Sequence, residues 1–520
     1  MAAATEQLSN AARQAVVAQD WAQVGSCAME INRLAPADAE GPFLMGLVHK
    51  AARRAAAASE QFEEALSRNT ERYDAAIELA SQRLLLNRYA EARDLLGRYQ
   101  ERLHDSPLYL DMAAQAFFAM GHYEQAWPLY QRACELQPDI EIFQAHKAAC
   151  AVYLGDIESA RTIYKSLLKR HPKHQQTHYE LSQLARARDD RHIKQMRKIL
   201  SKADDTPAKN IYLYYALGKE YEDLGRWDDA FRFYKKGGDA VKSIGQYDVA
   251  DDVSLIDKVI ETCTAEWLRE GAATNTTEKT PIFIVGLPRT GTTLTDRILS
   301  SHSEVQSAGE SQLLQMVLRD GTRAGNQIGI NRQQLEAAAL RDPESIARAY
   351  VEAISHRLGE EPFFVEKLPE NVLYLGFIAK AWPDAKIIHL RRNPMDACFA
   401  VYKQSFFRFA YSLDDLAQYY LAYDRLSRHW RETLGSRLVE VHYEELVADP
   451  ETRTRRLLSE LGLKFEVACL NFDQNAAPVA TASSVQVREK VHTRSVEKWK
   501  KFERQLQPLR EQLEQGGVEL

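Results

Sequence analysis

Apolar residues recur at a period of 34 through the first half of the chain. Trp21, Ala55, Tyr89, Tyr123 and Ile157 stand one period apart, each followed three positions later by Val24, Ala58, Ala92, Ala126 or Ala160. An i, i+3 apolar pair lies on one helix face, so each run predicts a helix with small residues at a close contact. Asn87-Arg, Gly121-His and Gly155-Asp supply turn residues before the last three runs. Pro138 and Pro172 are again one period apart, and Pro36 lies three periods before Pro138. Repeats of this length predict stacked helix–turn–helix units. Leu224-Gly-Arg-Trp227-Asp-Asp-Ala230 repeats the pattern two residues out of register, after a charged, degenerate stretch from Arg186 to Lys202.

The pattern then changes. Ile282–Val285, Phe363–Val365 and Lys386-Ile-Ile-His-Leu390 are short apolar, β-branched runs, and Leu438-Val-Glu-Val-His-Tyr443 is a less apolar fourth. Strands separated by long helical stretches predict βαβ crossovers and a parallel sheet, with sites at the carboxyl ends of its strands. Between the two patterns, a helical, acidic segment at about 247–270 leads into Gly271-Ala-Ala-Thr-Asn-Thr-Thr-Glu-Lys-Thr280, which is polar and aperiodic and predicts a linker.

Composition narrows the function classes. The 520 residues suffice for at least two domains, and 67 basic against 73 acidic residues give a net charge of -6. No global positive field favours nucleic acid. The opening Met-Ala-Ala-Ala-Thr-Glu has no basic stretch before an apolar core, and no run of about 20 apolar residues follows, so neither a signal peptide nor a membrane span is expected. Cys27, Cys134, Cys150, Cys263, Cys398 and Cys469 are scattered without a CxxC pair. They predict reduced thiols in a cytoplasmic protein, with no zinc site.

Chemistry collects at the strand ends. Gly286-Leu-Pro-Arg-Thr-Gly-Thr-Thr293 has the spacing of a phosphate-binding loop, but Thr292 occupies the lysine position. Backbone N–H groups at such a strand-to-helix turn still cradle an anion, with Arg289 as the cation. The other runs end on Glu366-Lys367, on Arg391-Arg392-Asn393-Pro394 and on Tyr443-Glu444. Asn393-Pro394 stops a strand just where Met395-Asp-Ala starts a helix, which aims Arg392 and a helix N-terminus at an anion. Four polar clusters at four strand ends predict one shared site. His302 and His442 read as capping or core residues. The aromatics of 401–425 suit an acceptor pocket or, better, an amphipathic core helix. A P-loop kinase or NTPase is the rival enzyme class; Thr292 and Arg392-Asn-Pro speak against it.

Together these residues resemble the sulfotransferase superfamily, which uses 3′-phosphoadenosine 5′-phosphosulfate (PAPS). The 34-residue units resemble tetratricopeptide repeats. The whole chain is similar to bacterial tetratricopeptide-repeat sulfotransferases, whose catalytic domain is similar to the tyrosylprotein sulfotransferases. The likeness implies an all-α solenoid over 1–245, a connector over 246–280, and an α/β P-loop-like domain with a central parallel sheet over 281–520. It implies transfer of a sulfuryl group to a hydroxyl acceptor, with protein tyrosine or another polymer or peptide as candidates, and with adenosine 3′,5′-bisphosphate as product and no metal.

Carried over by motif, Arg289, Thr290, Gly291, Thr292 and Thr293 hold the 5′-phosphosulfate, and Arg392 holds the 3′-phosphate. Tyr443 lies near the nucleotide, and Ser483, Ser484 and Lys498 belong to a segment that covers it. Lys367 is the active-site lysine, neutralising the bridging oxygen. Arg289 steadies the sulfuryl oxygens, Ser483 orients Lys367, and Glu310 accepts the acceptor's proton. Two departures stand out. Ala400 occupies the place of a serine that bonds the 3′-phosphate, with Ser405 a candidate substitute. Ala308-Gly-Glu310-Ser311 stands where the tyrosylprotein enzymes have Gly-Glu-Glu, so the base is Glu310 if register slips by one and is replaced by Ser311 if it does not. These departures keep open a repeat scaffold with a decayed transferase domain. The array serves a partner or acceptor, or else supports the next domain or a homodimer.

Overall fold

The structure is a computed structural model that describes residues 2–103, 105–201, 206–273, 278–319, 329–475, 477–479, 481 and 484–520. It divides into two compact units, one of Met1–Leu154 with Ser355–Arg357 and one of Gly155–Ile354 with Leu358–Leu520.

In the first unit, the 34-residue period marks helix starts. Helices Trp21–Leu34, Ala55–Arg68, Tyr89–Tyr99 and Tyr123–Leu136 each begin on the periodic residue, and each pairs with the helix before it. Two residues before each start the backbone turns left-handed, at Gln19, Arg53, Asn87 and Gly121, with φ from 56° to 86°. Asn and Gly tolerate that conformation better than Gln or Arg, which explains why only the later units carry a legible turn signal. The small residues three positions into each helix (Ala58, Ala92 and Ala126) are completely buried. A larger side chain has nowhere to go there. Ala126→Leu is expected to destabilise the first unit by about 1–3 kcal/mol, read as a lower urea midpoint at unchanged slope.

The second unit continues the same construction before it changes. Helices Ile157–Arg170 and Trp227–Lys242 again follow left-handed glycines, Gly155 and Gly225. The degenerate stretch forms the helix Arg191–Leu200, beside Gln175–Gln183 and Ile211–Asp223. Helices Val249–Thr262 and Ala265–Arg269 then lead to the sheet.

The sheet has five parallel strands: β1 (Thr280–Gly286), β2 (Val305–Gly309), β3 (Phe363–Lys367), β4 (Lys386–Arg391) and β5 (Leu438–His442), in the order β2-β3-β1-β4-β5. β1 is central and its Ile282–Val285 are wholly buried, as a strand covered on both faces must be. Its loop therefore emerges between the carboxyl ends of β3 and β4. β2 escapes the sequence pattern because only Val305 and Ala308 of its five residues are buried. Tyr443 opens the helix Tyr443–Ala448 rather than closing β5. The aromatic stretch is mostly core: Tyr419, Tyr420 and Tyr423 are buried on the helix Leu413–Leu434, and Phe409 stacks on Tyr419 at 3.7 Å. Phe406, 49% exposed, is the exception. Among the described residues, no helix is long and apolar enough to cross a membrane.

Candidate active site

The loop after β1 is built around two glycines. Gly286 (φ 147°) lies so close to β4 that a Cβ there would meet the Leu390 carbonyl at 2.6 Å. At Gly291 (φ 101°) a Cβ would meet the Tyr443 ring at 2.7 Å. Between them Thr290 Oγ1 donates to the Leu287 carbonyl at 2.7 Å. The Leu287 N–H donates to the Tyr423 hydroxyl at 3.0 Å, which in turn meets His389 Nε2 at 2.8 Å. Thr292 and Thr293 open the helix Thr292–Leu299, whose first-turn N–H groups have no partner within the helix. The turn is pinned from β4, from the long helix and from below.

Two arginines close around it. Arg392 Nη1 donates to the Arg289 carbonyl at 2.9 Å, and its Nη2 donates to the Ser495 carbonyl at 2.6 Å. Its guanidinium lies 4.8 Å from the centre of the Tyr443 ring. Arg289 itself, left-handed at φ 67°, donates Nη2 to Gln486 Oε1 at 3.0 Å. Burial, and then the charge of Arg392, push the Arg289 guanidinium down to about 10. A fork of this kind suits phosphate or sulfate oxygens.

β3 supplies the next group. Successive strand residues face opposite ways, so Lys367 shares a face with Val365 and points toward the helix Thr292–Leu299. It is completely buried, and its ammonium is ion-paired with Glu310, which follows β2. Asp296 of that helix lies nearby; burial raises its carboxyl, and Lys367 opposes the rise. Ser311 does not join this pair. Its hydroxyl donates to Glu366 Oε1 at 3.0 Å, where Asn371 Nδ2 also donates at 3.2 Å.

Glu366 is a buried carboxyl with no ion pair among the described residues. Burial pushes it up to about 8, and the bonds from Ser311 and Asn371 only partly offset this. Below the ordinary glutamate range the group is protonated in both folded and unfolded chains and has no effect on stability. As pH rises the unfolded chain releases its proton first, so stability falls until about pH 8, by at most about 1.4 kcal/mol per pH unit. Glu366→Gln should flatten that slope. The expected result is a variant whose urea midpoint changes less than wild type's between pH 5 and 8, with the gap widest at pH 8.

The other sequence-predicted residues divide. Ser483 lies outside the described residues. Ser484 donates its N–H to the Thr481 carbonyl at 3.0 Å, and Thr481 Oγ1 stands 3.3 Å from Thr293 Oγ1, which ties that segment to the loop. Lys498 does not meet the loop but pairs with Glu222 of the helix Ile211–Asp223. Ser405 lies beside Tyr179 of the helix Gln175–Gln183, where it partly offsets the burial that raises the Tyr179 hydroxyl. His302 contacts the Lys464 carbonyl at 2.8 Å and the Glu304 N–H at 3.1 Å, a structural role, and His442 is exposed. Among the described residues, no group of three or more His, Cys, Asp or Glu side chains could hold a metal ion.

The structure also shows contacts of residues to which the motifs gave no role. Asp396 accepts from the backbone N–H groups of Glu497 (2.6 Å) and Trp499 (2.9 Å), fastening the covering segment to the helix Pro394–Tyr402. Glu444 accepts from the Asn393 N–H at 2.9 Å, Gln486 meets Arg289, and Tyr423 holds Leu287. Asp396 was legible as the acidic residue in the first turn after Asn-Pro. The rest act across long sequence separations that leave no local signal.

Residues 281–467 match the model of the Sulfotransferase family, and residues 147–191 that of the Tetratricopeptide repeat. An uncharacterized protein of Aquifex aeolicus (strain VF5) is 30% identical over 377 residues, covering 71% of this chain and 49% of that protein. Protein-tyrosine sulfotransferase 1 of Danio rerio is 26% identical over 232 residues, 42% of this chain and 65% of that protein. The protein-tyrosine sulfotransferase of Drosophila melanogaster is 23% identical over 239 residues, 42% and 46% respectively. The chain thus spans about half the length of the Aquifex relative. The lysine-less loop, the parallel sheet around it and the family matches agree: the chain is a tetratricopeptide-repeat protein whose carboxyl-terminal domain belongs to the sulfotransferase family.

Proposed function

We propose that the chain transfers the sulfuryl group of PAPS to a hydroxyl acceptor, with protein or peptide tyrosine as the acceptor class and the repeats as the surface that presents it. One observation carries the donor half: two arginines locked around a glycine cradle, beside a buried Lys367 paired with the partly exposed Glu310 at the next strand end. The cradle suits a phosphosulfate, because glycine at 286 and 291 lets the loop close against the Leu390 carbonyl and the Tyr443 ring, and the groups around it are cationic. The acceptor half rests on the names of the fish and fly relatives and on the repeats that precede the domain in sequence.

When bound, PAPS supplies a sulfuryl group on a phosphate leaving group. The loop amides of 289–293, with the hydroxyls of Thr292 and Thr293, hold its 5′ end, and Arg392 holds its 3′-phosphate. Lys367, already placed by its strand, donates to the oxygen on which negative charge collects as the sulfur–oxygen bond breaks. Arg289 steadies the sulfuryl oxygens. Glu310 takes the acceptor hydroxyl's proton as the new bond forms. Its pairing with Lys367 holds the two side chains together until the donor competes for the ammonium.

The test uses the full chain. Transfer of ³⁵S from labelled PAPS to tyrosine-containing peptides, with mass spectrometry locating one added sulfuryl group, is the expected result. Calorimetry should find adenosine 3′,5′-bisphosphate bound without Mg²⁺. Binding of ATP only with Mg²⁺, and none of the bisphosphate, would sink the donor reading. Bisphosphate binding without transfer to any hydroxyl acceptor would leave a nucleotide-binding scaffold.

A further inference from the structure

The repeat helices reach into the donor side of the second unit through one carboxylate. Glu222, near the end of the helix Ile211–Asp223, is 5% exposed. One of its oxygens takes the ammonium of Lys403 at 2.9 Å and that of Lys498, and the other accepts from the Tyr234 hydroxyl at 2.8 Å. Burial works against the charge of Glu222, but Lys403 and Lys498 outweigh it and hold its carboxyl down at about 2.

Lys403 caps the helix Pro394–Tyr402 three residues past Ala400, so both lie on one face of that helix. Its ammonium also sits 4.8 Å from the centre of the Phe399 ring. One buried carboxylate facing two ammonium ions leaves a positive remainder, and Arg289 adds to it. Burial, with Lys498 and Arg289, pushes the Lys403 ammonium down to about 8 despite Glu222. A buried cation short of counter-charge is the complement of a multiply charged anion.

We propose that Lys403 binds the 3′-phosphate of the donor, in place of the hydroxyl missing at Ala400, and that Glu222 positions it there together with Lys498. The inference rests on the donor reading above. It makes a residue of the repeat helices a positioning residue of the nucleotide site.

Titration calorimetry of the full chain with adenosine 3′,5′-bisphosphate and with adenosine 5′-phosphate tests it. K403Q should weaken the bisphosphate about 10- to 100-fold and change the monophosphate less than about 2-fold. K403R should keep most of the preference. E222Q should reduce the same preference, and adding it to K403Q should cost little more, because both act through one contact. K403M, which keeps the buried stem, replaces K403Q if the glutamine variant does not fold. A variant that keeps the wild-type preference, or that loses both nucleotides equally, overturns the proposal alone. A wild-type chain with no preference for the 3′-phosphate overturns the donor reading and this inference with it.

Discussion

Replacing Lys367 by methionine is expected to lower the sulfuryl-transfer rate about 10²- to 10³-fold while leaving donor affinity within about ten-fold. The effect falls on kcat because charge builds on the leaving oxygen only as the bond breaks, so the ammonium contributes most in the transition state. Methionine is the informative substitute. Lys367 is completely buried on a central strand, and the thioether fills most of the space of its aliphatic stem. The lost charge leaves Glu310 without that ion pair, but its side chain is 34% exposed and water can serve it. Asp296 is the group that feels the change more, since Lys367 is the chief influence opposing the burial that raises its carboxyl. Initial rates against PAPS concentration separate the outcomes. An unchanged kcat would show that Lys367 does not serve the leaving group, and a loss confined to KM would make it a binding cation instead.

Much of this architecture can be read from local pattern. The 34-residue period sets helix starts because each unit repeats one turn and one close contact, and Ala58, Ala92 and Ala126 are completely buried as the pattern requires. The central strands announce themselves because both faces are covered, which forces the unbroken apolar run of Ile282–Val285. β2 does not, because an edge strand needs apolar residues only where one face packs. The loop, Arg392 and Lys367 were legible from strand-end chemistry. Glu222 was not: its lysine partners lie 181 residues or more away in sequence, and a lone glutamate near a helix end carries no mark of what it will meet. The Glu310–Ser311 choice was open in sequence for a similar reason. It depended on which of two adjacent residues turns toward β3's lysine, and the chain pairs Glu310 with Lys367 while Ser311 turns to Glu366.

Arg392→Ala is expected to weaken adenosine 3′,5′-bisphosphate binding about 10²- to 10³-fold, the combined effect of a lost charge and a loosened cradle. Arg392 bridges two backbone carbonyls from opposite sides of the site, Arg289 in the loop and Ser495 in the covering segment. Arg289 to Gln486 and Thr293 to Thr481 are further ties between the loop and this segment. Removing Arg392 loosens the Arg289 carbonyl and the Ser495 end without releasing the loop altogether, in addition to deleting the proposed phosphate ligand. Lysine should recover only part of the affinity, because a single ammonium cannot span both carbonyls as a planar fork does. Asp396 still holds Glu497 and Trp499 through their N–H groups, so the covering segment stays attached at its far end and the fold survives. Calorimetry on the alanine and lysine variants, with thermal melts to check folding, reads both parts. If alanine and lysine bind as tightly as wild type, the anion is held elsewhere and the assignment of this strand end is wrong. If lysine alone restores full affinity, charge suffices and the bridging role adds nothing.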